Sequence, residues 1–161
     1  MNILATIGST NPDITYVDRP TVKVVVRKAG RVLLLNGGLL PGGGVDEGET
    51  QVEALTRELQ EELGMSVTGI EEIGAVIQYR GYLGKRYVIY GYVADFAGET
   101  GERDPQDEGE ASFAEQWLTI DEARATIKES IAELELNPRD EDGYQGRVYN
   151  LRTSGVLLGE L

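Results

Sequence analysis

The chain has 161 residues and a formal net charge of −13, with 28 acidic against 15 basic side chains and neither histidine nor cysteine. This composition excludes disulfides, a Ser-His-Asp triad, a cysteine nucleophile and a conventional zinc site, so any metal must be held by oxygen, which suits magnesium, manganese or calcium. An acidic surface repels a phosphate backbone, so no nucleic-acid partner is expected, and no apolar run reaches the roughly 18 residues of a bilayer span, so no membrane partner is expected either. The length and the 40% hydrophobic content suit one domain over residues 1–161 with its own core. Met1 to Thr10 carries no basic leader, and the expected location is cytoplasmic.

Residues 1–20 are the least patterned part. Asn11 to Asp13 marks a turn, and Ile14 to Val17 reads as a short strand. Thr21 to Arg27 is β-branched and reads as a buried strand; Lys28 to Gly30 turns the chain, and Arg31 to Leu35 returns as its hairpin partner. Asn36 to Leu40 then connects to a glycine-rich loop, Pro41 to Gly44, whose backbone can approach a ligand because no Cβ obstructs it.

The loop feeds an acidic helix. Thr50 with Glu53 three residues on forms a capping box, and Gly64 is the stop signal. Val52, Leu55, Leu59 and Leu63 fall on one stripe, read as the buried face, with Glu58, Glu61 and Glu62 on the neighbouring arc. Like charges at that spacing repel unless something compensates. A divalent cation would do so, and Arg57 lies within one turn of Glu53 and Glu61, where it can pair. A plain solvated acidic face is the alternative.

After Ser66 to Gly69, Ile73 to Arg80 and Arg86 to Phe96 read as antiparallel strands joined by a turn around Tyr82 to Lys85, with Tyr90 and Tyr92 on one face. Gly98 to Ala111 reads as a mobile acidic loop. Asp104, Gly109 and Glu115 copy part of a calcium-loop spacing. Gln106 and Glu108 break that pattern and no helix signal precedes it, so it is not read as an EF-hand. Ser112 to Leu118 reads as a strand carrying the only tryptophan, Trp117. Thr119 or Asp121 caps a helix running through Lys128 toward Leu136, Asn137 and Pro138 break it, and a C-terminal helix lies within residues 144–160, centred on Arg147 to Leu158. The order of elements gives an α/β fold, a mixed sheet with helices on both faces.

The run Gly43, Glu49, Arg57, Glu58, Leu59, Glu61, Glu62, Gly64, Met65 resembles the Nudix box, G-x5-E-x7-R-E-U-x-E-E-x-G-U with U a bulky aliphatic, and matches it at every defined position. The resemblance covers this stretch alone. It implies an α/β/α sandwich and a hydrolase that uses magnesium or manganese to cleave a nucleoside diphosphate linked to another group. It also implies that Glu58, Glu61 and Glu62 hold the metal, with the Gly42 carbonyl as a further ligand. Glu61 or Glu58 is then the general base, Arg57 orients a carboxylate, Glu49 is its other partner, and Gly43 and Gly64 shape the motif. Members of the family often bring an extra carboxylate from just before the helix that follows the tryptophan-bearing strand, for which Glu110 and Glu115 are the candidates.

The substrate is left more open. Lys23, Arg27 and Arg80 from strands, with Tyr82, are the candidate substrate contacts, and Arg147 and Arg152 of the C-terminal helix are possible additions. The sequence departs from the family where a basic residue and an aromatic often flank this loop; Asn36 and Leu40 stand there. It also lacks the proline that members acting on ADP-ribose tend to carry, with Arg80 and Gly81 at that point. A small nucleotide is the expected partner, a nucleoside triphosphate or a nucleotide sugar such as ADP-ribose. A dinucleoside polyphosphate, with a second base on the tyrosine-rich hairpin, is one alternative, and a domain that senses nucleotides without cleaving them is another. A homodimer is left open.

Overall fold

The fold was taken from a computed structural model, which describes residues 1–101, 103–104, 114–139 and 142–161. Among these, six strands form one mixed sheet and three helices cover it. The strands are β1 (Ile3–Ile7), β2 (Val17–Lys28), β3 (Arg31–Leu35), β4 (Met65–Arg80), β5 (Lys85–Glu99) and β6 (Glu115–Leu118). The helices are α1 (Gln51–Leu63), α2 (Ile120–Leu136) and α3 (Asp142–Gly159). The order across the sheet is β1-β4-β5-β2-β3-β6. β1 with β4 and β2 with β5 are parallel, and the other neighbours are antiparallel.

β2 is central, and its continuous β-branched run follows from burial on both faces. Val22, Val24 and Val26 join Leu33, Leu35 and Tyr92 under Leu55, Leu59 and Leu63 of α1. Val25 points the other way and joins Val32, Leu34, Val76 and Val93 under Ile127 of α2 and Leu157 and Leu158 of α3. This is the expected α/β/α arrangement. Tyr90 and Tyr92 share the α1 face, as alternation requires.

Several boundaries differ from expectation. Ile14 to Tyr16 is not strand, and Val17 opens the long β2 instead. Ser66 to Gly69 belongs to β4, whose pairing with β5 is interrupted by register shifts that blur its alternation. The turn after β4 is a single 3-10 turn, Gly81–Leu83, closed by Gly84 at φ 59°. Gly98 and Glu99 extend β5 rather than opening a loop. Thr119, not Asp121, caps α2, which reaches Leu136, and α3 begins at Asp142. Most of the calcium-loop-like run, part of the acidic loop, and Ser112 and Phe113 lie outside the described residues.

The feature that positions the site is a splaying of the sheet. β2 and β3 pair only near their shared turn, at Arg27 with Val32 and Lys28 with Arg31. Farther along β2 the glycine loop takes β3's place: Val24 N–H donates to the Pro41 carbonyl at 3.1 Å and Val22 N–H to the Gly43 carbonyl at 2.9 Å. Gly42 must be glycine there. Its φ is +130°, and a Cβ would strike the Val22 carbonyl.

Candidate active site

α1 starts and stops as its sequence dictates. Thr50 Oγ1 accepts from Glu53 N–H at 3.2 Å, Thr50 N–H donates back to Glu53 Oε2 at 2.8 Å, and Gly64 ends the helix at φ 59°. Glu53 is therefore committed to the cap and is not Arg57's partner. The buried face is wider than the leucine stripe and displaced from it, comprising Ala54, Leu55, Glu58, Leu59, Glu62 and Leu63. Val52 is not in the core; it is 44% exposed and lines an open pocket with Pro20, Tyr90 and Tyr92. Two of the three acids, Glu58 and Glu62, therefore sit on the buried face itself, at 7% and 5% exposure.

Glycine loop and helix meet carboxylate to backbone. Gly42 N–H donates to Glu62 Oε2 at 3.1 Å. The Glu58 carboxylate lies over Gly43, in space that a Cβ would occupy. Arg57 ties the rest together. Its Nε and Nη2 grip the two oxygens of Glu49 at 2.8 and 2.9 Å, Nη2 also donates to the Gly44 carbonyl at 2.9 Å, and Nη1 reaches Glu58 at 2.9 Å and Glu61 at 3.3 Å. The two-pronged Arg57 contact, with help from the Asp46 N–H, pulls the Glu49 carboxyl down to about 2, and Glu49 and Glu58 together hold the guanidinium charged. Glu61 is the more open of the two acids that Arg57 orients, with 18% side-chain exposure against 9% for Glu58.

Lys23 projects from β2 toward the α2–α3 side, and its ammonium donates to the carbonyls of Leu40 at 3.0 Å and Gly42 at 2.9 Å. Burial biases it against its charge, Glu62 and Glu58 oppose that bias, and Arg80 adds to it by repulsion. Lys23 is thus brought to the cluster, as is Arg80 near it. Arg27 is not: it lies at the far end of β2, paired with Asp95 at 2.9 Å. Arg152 is paired with Glu135 at 3.0 Å, on the outside of α3. Tyr82 and Arg147 line a pocket with Arg80. Glu115 pairs with Arg103 at 3.8 Å, and Arg103 in turn donates to the Glu62 carbonyl at 2.6 Å, so Glu115 approaches the back of the helix end; Glu110 lies outside the described residues.

The donor set is all oxygen and confined to one helical turn, with a glycine backbone opposite, which fits a hard divalent cation in chemistry. Among the described residues no three acids converge as a ready coordination set; Glu58 and Glu61 share Arg57 Nη1, and Glu62 accepts from the Gly42 N–H. Neutralising cations on this arc would meet Glu58, Glu61 and Glu62 first.

Sequence reasoning missed Gln78 and Asn150, which fix Arg80 from β4 and α3. Their only signal was a polar pair inside otherwise apolar periodic segments.

Comparison with known proteins gives the family and the fold. A family model described as NUDIX domain matches residues 17–138. An RNA pyrophosphohydrolase of Bartonella bacilliformis is 38% identical over 99 residues, 50% of this chain and 55% of that protein, so the chain spans about half the length of this curated relative. Among solved structures, a NUDIX hydrolase from Nitrosomonas europaea superimposes with a TM-score of 0.57 at 23% identity, covering 68% of this chain and 78% of that one. A MutT NUDIX hydrolase from Burkholderia pseudomallei gives 0.52 at 27% identity, covering 65% and 85%.

Proposed function

The chain belongs to the NUDIX domain family, and from that premise we propose that it hydrolyses a phosphoanhydride bond in a small nucleotide with the help of a divalent metal ion. The observation that carries this is the Arg57 cluster: one guanidinium holds Glu49, Glu58 and Glu61 against a glycine backbone that holds Glu62. Glu58, Glu61 and Glu62 would hold magnesium or manganese, which when bound stabilises the charge on the phosphoryl oxygens and acidifies water. Arg57 holds the Glu58 and Glu61 carboxylates in place through Nη1. Glu61, the more open of the two, is the base that takes the proton of the attacking water at a carboxylate oxygen. The Gly42 carbonyl already accepts from Lys23, so as a metal ligand it would use its second lone pair beside that ammonium.

The substrate reading is a nucleoside triphosphate or nucleotide sugar, supported by the acidic surface of the chain, net charge −13, and by a local group of cations, Lys23, Arg80 and Arg147, beside the carboxylates. A second reading, a dinucleoside polyphosphate or a 5′-phosphorylated RNA end, is favoured by the name of the Bartonella relative. The expectation of no nucleic-acid partner is accordingly one arm of the test.

The test is phosphate and nucleotide release from a panel holding a nucleoside triphosphate, ADP-ribose, a dinucleoside tetraphosphate and a 5′-triphosphorylated RNA. Activity should disappear with chelator and return with magnesium or manganese. Glu61→Gln should lower it by about a hundredfold or more without unfolding the chain. Recovery with zinc alone, or no release from any member, would sink the reading.

A further inference from the structure

Arg80 ends β4 and is only 8% exposed. Among the described residues no carboxylate pairs with it. A guanidinium withdrawn from water without a counter-ion is unfavourable unless something else stabilises the charge. Its direct partners are neutral. Nε and Nη2 donate to Gln78 Oε1 at 2.9 and 2.6 Å, Nη2 donates again to Asn150 Oδ1 at 2.9 Å, and the cation lies 4.2 Å above the centre of the Tyr87 ring. Gln78, fully buried, is itself fixed by donating to Thr153 Oγ1 at 2.7 Å and the Tyr149 carbonyl at 3.2 Å. These contacts lock the plane of the guanidinium, and none of them cancels its charge.

The locked plane has one corner that takes no part in these bonds. Nη1 faces a pocket of about 430 Å³ between the β4–β5 turn and the first turns of α3. Gly146 makes the room: a Cβ at that position would lie 3.0 Å from Nη1 and 3.4 Å from Tyr82 Oη. Arg147, the next residue, lines the same pocket and is steadied by donating from Nη2 to the Asn36 carbonyl at 2.8 Å. Two guanidiniums and a phenol thus share one pocket in a strongly acidic chain. The pocket lies on the same side of the site as the carboxylates: Arg80 on its wall is close enough to repel Lys23, which Glu62 and Glu58 attract.

We propose that this pocket binds a phosphoryl group of the substrate, the one remote from the carboxylate cluster, with Arg80 Nη1 and Tyr82 Oη donating to its non-bridging oxygens and Arg147 supplying the second positive charge. A neutral nucleobase would leave the Arg80 charge uncompensated, whereas a phosphoryl group completes it. The proposal rests on the nucleotide reading above and goes beyond it by assigning the contact group.

The test uses the full chain, labelled with nitrogen-15, in the presence of chelator, so that neither metal nor turnover enters. Pyrophosphate, ADP and adenosine are titrated while the Arg80 Nε–H and Gly146 amide resonances are followed. Pyrophosphate and ADP should shift both saturably, and adenosine should not. Gly146→Ala, which crowds Nη1, should weaken the pyrophosphate affinity about tenfold, the scale of one charge-assisted hydrogen bond. Tyr82→Phe, at a 39% exposed position, should weaken it severalfold, and serves if the glycine variant does not fold. Shifts from adenosine alone, no shift from pyrophosphate, or affinities unchanged in the variants would overturn the proposal. Hydrolysis without these shifts refutes the pocket alone; these shifts without hydrolysis refute the enzyme reading alone.

Discussion

The ammonium of Lys23 lies 2.9 Å from the carbonyl oxygen of Gly42, on the side of the glycine loop away from the α1 carboxylates it helps to balance. It is a basic group built into the site, biased against its charge by burial and toward it by Glu62 and Glu58. Lys23→Met should therefore lower the stability of the metal-free chain by about 1.5–3 kcal/mol, the range for hydrogen bonds to a charged group. Added magnesium or manganese should then raise the melting temperature more in the variant than in the parent, since the ion replaces the lost charge. Equal metal-induced shifts in the two proteins would show that Lys23 and the ion do not share a place.

Two positions on the apolar stripe of α1 should respond differently to truncation. Leu59 is fully buried and Val52 is 44% exposed. Leu59→Ala should lose about 2–5 kcal/mol in urea denaturation, and Val52→Ala within about 0.5 kcal/mol. Comparable losses would mean that the first helical turn is packed after all.

The adjoining loop glycines should separate stability from activity. At Gly42 an added Cβ meets the Val22 backbone at a φ of +130°, and at Gly43 it meets the end of the Glu58 side chain. Gly42→Ala should fail to fold or melt far earlier, whereas Gly43→Ala should fold and displace the Glu58 carboxylate, lowering kcat more than melting temperature. Melting curves alongside kinetics on the preferred substrate decide it.

Acid titration should report Glu49. Its carboxyl sits at about 2 in the folded chain against an ordinary 4.5, so on acidification the unfolded chain takes up the proton first. The stabilisation from the Arg57 contact is complete above pH 4.5 and is lost as the pH falls toward 2. Glu49→Gln should therefore be less stable than the parent at neutral pH, with the difference shrinking through that window in urea midpoints measured against pH. A difference independent of pH would place the effect elsewhere.

Much of this arrangement could be read locally. The capping box at Thr50, the stop at Gly64 and the box acids are each set by residues three or four apart, where side-chain and backbone chemistry decide the outcome. What could not be read depends on distant partners. β1 has no period of its own and exists because Ile3 to Ile7 lies parallel to β4 some 70 residues on, at Ala75 to Gln78. Glu58 and Glu62 look like a solvated face by charge, and are buried because a glycine loop lies against them. The lysine and arginine candidates were indistinguishable as strand cations; pairing sent Arg27 to Asp95 and left Arg80 among neutral groups. Val52 failed as a core residue because periodicity gives a direction on the helix but not whether the packing beneath it is filled, and an open pocket lies there.

The insertion of the glycine loop as a neighbour of β2 turns two core amides into clocks. The N–H groups of Val22 and Val24 are held by the Gly43 and Pro41 carbonyls rather than by another strand. Both residues are fully buried, so their hydrogens can exchange with solvent only when the loop peels away. Their exchange lifetimes consequently measure how often the site comes apart, and their lengthening on ligand or metal addition measures how much each one closes it, in a sample where no reaction need occur.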